Sequence, residues 1–156
     1  MKKVYLLLCA GLAALSIDAA TQPLTLAVFD FQAGDESTRE LGNQLAVLLT
    51  ANLSTHDNII TVERAELEKV LGEQELGLSG TIAPDTAAQV GHLTGAKVLV
   101  TGRVFKAGRQ TMMVAKVIGT ETGRVYGQSG RIKSADDLKD AAEEMAAKIA
   151  ATVERK

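Results

Sequence analysis

The chain of 156 residues is 46% apolar and 23% charged, a balance that argues against disorder, collagen-like repeats and low-complexity sequence. Its formal charge is −2, from 17 Lys and Arg against 19 Asp and Glu, and only 3% of its residues are aromatic. Neither the basic footprint of a nucleic-acid binder nor the stacking platform of a single-strand binder is present.

Residues 1–20 read as a secretory signal peptide. Lys2 and Lys3 supply a positive start, an apolar stretch follows through Ile17, and Ala19 and Ala20 provide small residues for cleavage. The stretch is shorter than the ~20 apolar residues that a spanning helix needs. The chain's single cysteine, Cys9, lies inside this leader. Lipid attachment there is disfavoured, because bulky Leu8 precedes it and too little sequence stands before it. Cleavage after Ala19 or Ala20 leaves one domain, residues 21–156, without disulfide or thiol chemistry. The expected location is the periplasm, with at most a peripheral association with the outer membrane.

In chain order, residues 24–31 (Leu-Thr-Leu-Ala-Val-Phe-Asp-Phe) form an apolar run of strand length, followed by a loop over residues 32–35. Ser37 opens a helix with Glu40 as its capping partner, and Leu41, Leu45, Leu48, Leu49 and Leu53 line one face. Residues 58–62 are strongly β-prone. Helical spacing returns over residues 65–76, through Leu67, Val70, Leu71 and Gln74. A short helix starts at Pro84, carries Ala88, Val90 and Leu93 as its apolar residues and stops at Gly95. Strands follow at residues 97–105, 111–118 and 124–132, joined by turns at residues 107–109 and at Thr122-Gly123. Met113, Ala115 and Val117 alternate on one face. Ser134, with Asp137, then caps a last helix whose stripe is Leu138, Ala142, Met145, Ile149 and Val153.

The expected fold is α/β (α+β mixed), a single domain. It has a five-stranded mixed sheet flanked by about four helices, in the order β-α-β-α-α-β-β-β-α. The first strand-helix-strand unit should be a right-handed parallel crossover and the last three strands an antiparallel meander.

Little in the sequence points to catalysis. His56 and His92 fall at helix ends, where a cation offsets the helix dipole. No spacing suits zinc or calcium, so neither a metal nor another cofactor is expected. Asp30, near the carboxyl end of the first strand, is where an α/β sheet could hold a ligand. The expectation is instead that its carboxylate caps the following loop. Gly72, Gly77, Gly80, Gly91 and Gly95 have no phosphate-loop spacing and read as helix ends and turns.

Several stretches together resemble the CsgG-like family, the curli production assembly and transport components of Gram-negative envelopes. The opening strand with Asp30 is similar to the family's first strand. Glu63-Arg64-Ala65-Glu66-Leu67, then Val70-Leu71-Gly72-Glu73-Gln74-Glu75-Leu76, resembles its "ERxxLxxvLxEqxL" signature. The segment with Gly91, Gly95 and Gly102 resembles the next family segment, and Thr122-Gly123 its hairpin. By this resemblance Asp30, Glu63, Arg64, Leu67, Leu71, Glu73, Gly91, Gly95, Gly102, Thr122 and Gly123 form a structural signature. Physically, Glu63 suits a helix amino end, and Arg64 can reach acids on a neighbouring element.

The resemblance implies a non-enzymatic component of envelope assembly or curli-type secretion, working through contacts with envelope proteins or self-association into a ring. The channel of that family carries long membrane-spanning hairpin insertions. The links after Leu53 and over residues 106–110 are too short to hold them here. The alternative is a periplasmic regulator that binds and activates an envelope enzyme such as a peptidoglycan synthase. Residues 77–82 and 106–109 are the expected contact segments.

Overall fold

The computed structural model describes residues 22–73, 84–134 and 136–155. Strand β1 (Leu24–Ala33) leads through a single 3-10 turn (Glu36–Thr38) into helix α1 (Arg39–Leu53). Strand β2 (Ile59–Thr61), helix α2 (Arg64–Glu73) and helix α3 (Pro84–Thr94) follow. Strands β3 (Val98–Ala107), β4 (Gln110–Gly119) and β5 (Val125–Ile132) then precede helix α4 (Leu138–Glu154). The order is the one expected from the sequence.

Among the described residues the five strands make one sheet in the order β2-β1-β3-β4-β5. β1 runs parallel to both β2 and β3, and β3, β4 and β5 form the antiparallel meander. Because β1 is central and covered on both sides, its continuous apolar run is satisfied from two directions. Leu26, Val28 and Phe31 face one core with Leu45, Leu49, Leu53, Met145 and Ile149 of α1 and α4. Ala27 and Phe29 face the other core, with Leu67 of α2, Ala87 and Val90 of α3, Leu99 and Ile118.

α4 fits the first core through a stripe in which small residues alternate with large ones. Leu138, Ala142, Met145, Ala146 and Ile149 are all buried, and the alanines bring its backbone near α1 and β5. Ser134 does not cap α4 as expected. The helix starts at Leu138 with Asp137 at its cap position and no side-chain cap bond among the described residues, and Ser134 Oγ instead donates to the Asp137 carboxylate at 2.9 Å one turn earlier.

Several boundaries differ from expectation for local reasons. β1 does not stop at Phe31, since Gln32 and Ala33 pair with Arg103 and Val104, and Gly34 N–H still donates to the Val104 carbonyl. α1 is not opened by Ser37 and Glu40. Asp35 N–H donates to Thr38 Oγ1, whose hydroxyl donates back to the Asp35 carbonyl, and Ser37 Oγ donates to the Asp35 carboxylate. That last bond is the main cause holding the Asp35 carboxyl below its usual 3.8. A lowered carboxyl pKa stabilises the fold above the usual value, and the contribution fades as pH falls through the lowered one. Among the described side chains of α3 Ala87 and Val90 are buried, whereas Ala88 and Leu93 point to solvent, Leu93 being 47% exposed. The helix packs over β3 and β4 on one narrow face only. The parts of the α2 expectation beyond Glu73, with Gly77, Gly80 and the contact segment 77–82, lie outside the described residues.

The β3–β4 hairpin closes through Gly108 and Arg109 alone, with Ala107 opposite Gln110. Gly108 has φ +64° and open space where a Cβ would stand, as the first position of a tight hairpin turn demands. Gly108→Ala should therefore cost about 1–2 kcal/mol through backbone strain alone, read as a lower urea midpoint with an unchanged m-value.

Candidate functional site

Asp30 owes its position to an irregularity in β1. Val28 pairs with Val100 and Phe31 with Gly102, so Phe29 and Asp30 together oppose the single residue Thr101. An extra residue of this kind re-aims side chains. Here Phe29 and Phe31 fall into opposite cores, and Asp30 reaches the first turn of α2. Arg64 Nη1 and Nη2 donate to Asp30 Oδ1 and Oδ2 at 2.5 and 2.7 Å, and Arg64 Nε donates to Glu68 Oε1 at 2.8 Å. The expectation that Asp30 caps its own following loop is thus corrected, and the expectation that Arg64 reaches an acid on a neighbouring element holds.

The bond to Asp30, then the bond to Glu68, raises the Arg64 pKa above its already high value. A raised cation pKa stabilises below the ordinary value and is lost only in extreme alkali, so Arg64 remains a permanent cation. The side chains of Arg64 and Asp30 are 49% and 41% exposed, which keeps the pair in the weak, solvent-screened class. Arg64→Ala should lower stability by about 0–1 kcal/mol. A double-mutant cycle with Asp30→Asn, run at low and high salt, reads the coupling directly.

The other signature residues are spread through the fold. Glu63 precedes α2, and its carbonyl accepts from the Glu66 and Leu67 N–H groups. Leu67 is buried and Leu71 half-buried beneath α2, which ends at Glu73. Gly91 is not a helix end. It lies inside α3, where a Cβ would run into Thr120, and Thr120 Oγ1 donates to the Ala96 carbonyl at 2.9 Å. Gly95, at φ +71°, does end that helix. Gly102 gives room to the Phe31 ring and the Val114 carbonyl. Gly123, at φ +63°, donates to the Gly119 carbonyl while Thr122 Oγ1 accepts from the Arg124 N–H. His56 follows α1, and His92 sits exposed in the last turn of α3. The structure therefore joins Asp30, Arg64, Leu67 and Leu71 at one place, and puts Gly91, Gly95, Thr122 and Gly123 elsewhere. Among the described residues no three His, Cys, Asp or Glu side chains gather as metal ligands, and no helix is long and apolar enough to cross a membrane.

The sequence reading missed a second feature. On the sheet face that α2 and α3 occupy, the covered part of β3 and β4 is Leu99 and Ile118. Beyond it, Arg103 pairs with Val114 and Phe105 with Met112, while Val114 pairs with Ser129 and Met112 with Arg131. Lys116 stands in the row between. Arg103, Lys116, Ser129 and Arg131 are exposed, and Phe105, Met112 and Val114 half-buried. Their period-two spacing is legible in the sequence beside the inward alternation of Met113, Ala115 and Val117, but only the strand register puts them on one surface.

Residues 15–127 match the family described as "Curli production assembly/transport component CsgG". The chain belongs to the CsgG family. No curated protein matches this CsgG-family chain. Among solved structures it is similar to the LpoB C-terminal domain from Salmonella enterica at 12% identity and a TM-score of 0.57, over 75% of this chain and 87% of that one. It is also similar to the lipoprotein GNA1162 from Neisseria meningitidis at 13% identity and a TM-score of 0.58, over 85% and 96% respectively. TolB from Acinetobacter baumannii matches at 10% identity and a TM-score of 0.57, covering 85% of this chain and 28% of that one. At such identities these likenesses speak to the fold of the CsgG-family domain alone.

Proposed function

We propose that this CsgG-family protein is a non-enzymatic, periplasmic component of cell-envelope assembly or curli-type secretion. It acts through protein contacts, peripheral to the outer membrane, after cleavage of residues 1–20. The observation that carries the reading is the family match across residues 15–127. Two features support it. Asp30, the sequence's best catalytic candidate, is engaged by both terminal nitrogens of Arg64. The β3–β4 link, two residues long, leaves no room at that place for a membrane-spanning strand pair, which needs ~9–11 residues per strand. The signature residues, on this reading, build the domain that partners recognise.

His56→Ala, His92→Ala and Asp30→Asn should each complement a deletion strain nearly as well as the parent, with circular dichroism confirming the fold. A catalytic site needs several tuned polar groups converging on one pocket. A folded Asp30→Asn protein that failed as fully as the deletion would put a ligand at β1 and end the non-enzymatic reading. Amino-terminal sequencing of fractionated protein should begin at residue 20 or 21. An intact Met1 or a lipid on Cys9 would defeat the cleaved form. Sedimentation separates the two kinds of contact: a ring supports an assembly component, and a monomer that captures one enzyme supports the regulator.

A further inference from the structure

Among the described residues, the half of the sheet face beside α2 and α3 that those helices leave open carries three cations and no acid on its strand positions. Its nine positions are Thr101, Arg103 and Phe105 on β3, Met112, Val114 and Lys116 on β4, and Gly127, Ser129 and Arg131 on β5. In a chain of net charge −2, a surface with three bases and no acid is a marked local excess. Nor is the excess neutralised internally, since none of Arg103, Lys116 and Arg131 has an ion pair among the described residues. Apolar atoms lie between the charges, as Phe105, Met112 and Val114 are only half-buried. Thr101, at the inner edge, is 2% exposed, and its Oγ1 has no hydrogen-bond partner among the described residues.

The dimensions narrow the occupant. Same-face residues repeat every ~6.8 Å along a strand and strands lie ~4.8 Å apart, so the patch measures about 14 Å by 10 Å. That width matches one helix with its side chains, about 10 Å across. The neighbouring part of the same face is already covered by α2 and α3, so a further helix would continue an existing layer. Charge complementarity fixes its character: an apolar stripe to meet Phe105, Met112 and Val114, flanked by carboxylates to meet the cations. Arginine, methionine and aromatic residues mixed in this way are also the composition that protein interfaces favour.

We infer that the open face of β3, β4 and β5 is a docking site for an acidic amphipathic helix of a partner protein, with Arg103, Lys116 and Arg131 as its charge anchors. The inference rests on the protein-contact reading above and names the surface that makes the contact.

The test uses the folded protein and two synthetic helices of about 18 residues, ~27 Å long, with the same leucine stripe. One is flanked by glutamates and the other by lysines. The glutamate helix should bind and shift the amide resonances of Met112, Val114 and Arg131. R103E/K116E/R131E should weaken that binding about tenfold, as three moderate charge contacts would, and should take up the lysine helix instead. All three positions are exposed, so the variant should fold; Arg103→Gln with Lys116→Gln, a milder change, provides a second reading in the same direction. Binding that ignores the reversal, or shifts that map to other elements, would overturn the inference. So would binding of the parent to anionic phospholipid vesicles that the triple variant loses, with no selectivity between the two helices, which would make the face a lipid contact. Self-association that disappears in the triple variant, without helix binding, would make the occupant a second copy. If the folded triple variant complements the deletion strain fully, this surface is not the one used, while the protein-contact function itself stands.

Discussion

Leu99→Ala should lower the unfolding free energy by about 2–5 kcal/mol. Leu99 is fully buried in the central strand β3, between Ala27 of β1 and Ile118 of β4. Among the described residues it also belongs to the smaller of the two cores, where few large side chains share the burial. Strands fixed on both sides cannot collapse into the vacated volume, and it is the residual cavity that sets the cost. Leu67→Ala is the matched comparison. Leu67 serves the same core but comes from α2, at the edge, and is 4% exposed, so its loss should fall toward the lower end of the same range. Chemical denaturation with both variants decides the matter. Changes within noise for both would mean that the α2/α3 layer is not packed as described.

Gly42→Ala reverses a general rule. Alanine normally stabilises an exposed helix interior relative to glycine by about 1 kcal/mol. In α1, however, a Cβ at residue 42 would run into the Phe31 carbonyl of β1. A backbone oxygen in a paired strand cannot turn aside as a flexible side chain can, so α1 would have to shift away from the sheet. Overpacking of that kind costs about 1–3 kcal/mol. Gly72→Ala supplies the contrast, since nothing among the described residues stands within 4 Å of its Cβ position in α2; it should stabilise by up to about 1 kcal/mol. Opposite signs for the two variants in one denaturation series are the expected result. A stabilising Gly42→Ala would mean that α1 does not approach β1 so closely.

The architecture was legible because its signals are periodic. Leu45, Leu49 and Leu53 repeat on a helical face, Met113, Ala115 and Val117 alternate on a strand, and glycines mark the turns at Gly108 and Gly123. What escaped depends on contacts between elements far apart in sequence. The bulge opposite Thr101 leaves no local mark, yet it is what presents Asp30 to Arg64. The exposure of Leu93 depends on how narrow a face α3 lays on the sheet. At the start of α1, Thr38 rather than Glu40 does the bonding, because a 3-10 turn intervenes before the helix proper. The basic open face was hidden for another reason: its residues come from three strands, and only their register puts Arg103, Lys116 and Arg131 on one surface.

α1 and α4, the first and last helices, seal the same core. α1 itself makes the β1-to-β2 crossing, and the β2-to-β3 crossing and the whole meander run between it and α4, so neither half of the sequence can bury its apolar face without the other. The strands obey the same logic, because β1 closes its sheet only against β3, more than half the domain later. Such a fold has no stable subunit to melt first. Its unfolding should be a single all-or-none transition, and its folding should be slowed by having to close long loops before the β1–β3 contacts repay the entropy. A chain cut anywhere in the middle would keep its meander as a bare sheet, with one helix on it and a hydrophobic strand edge open to aggregation.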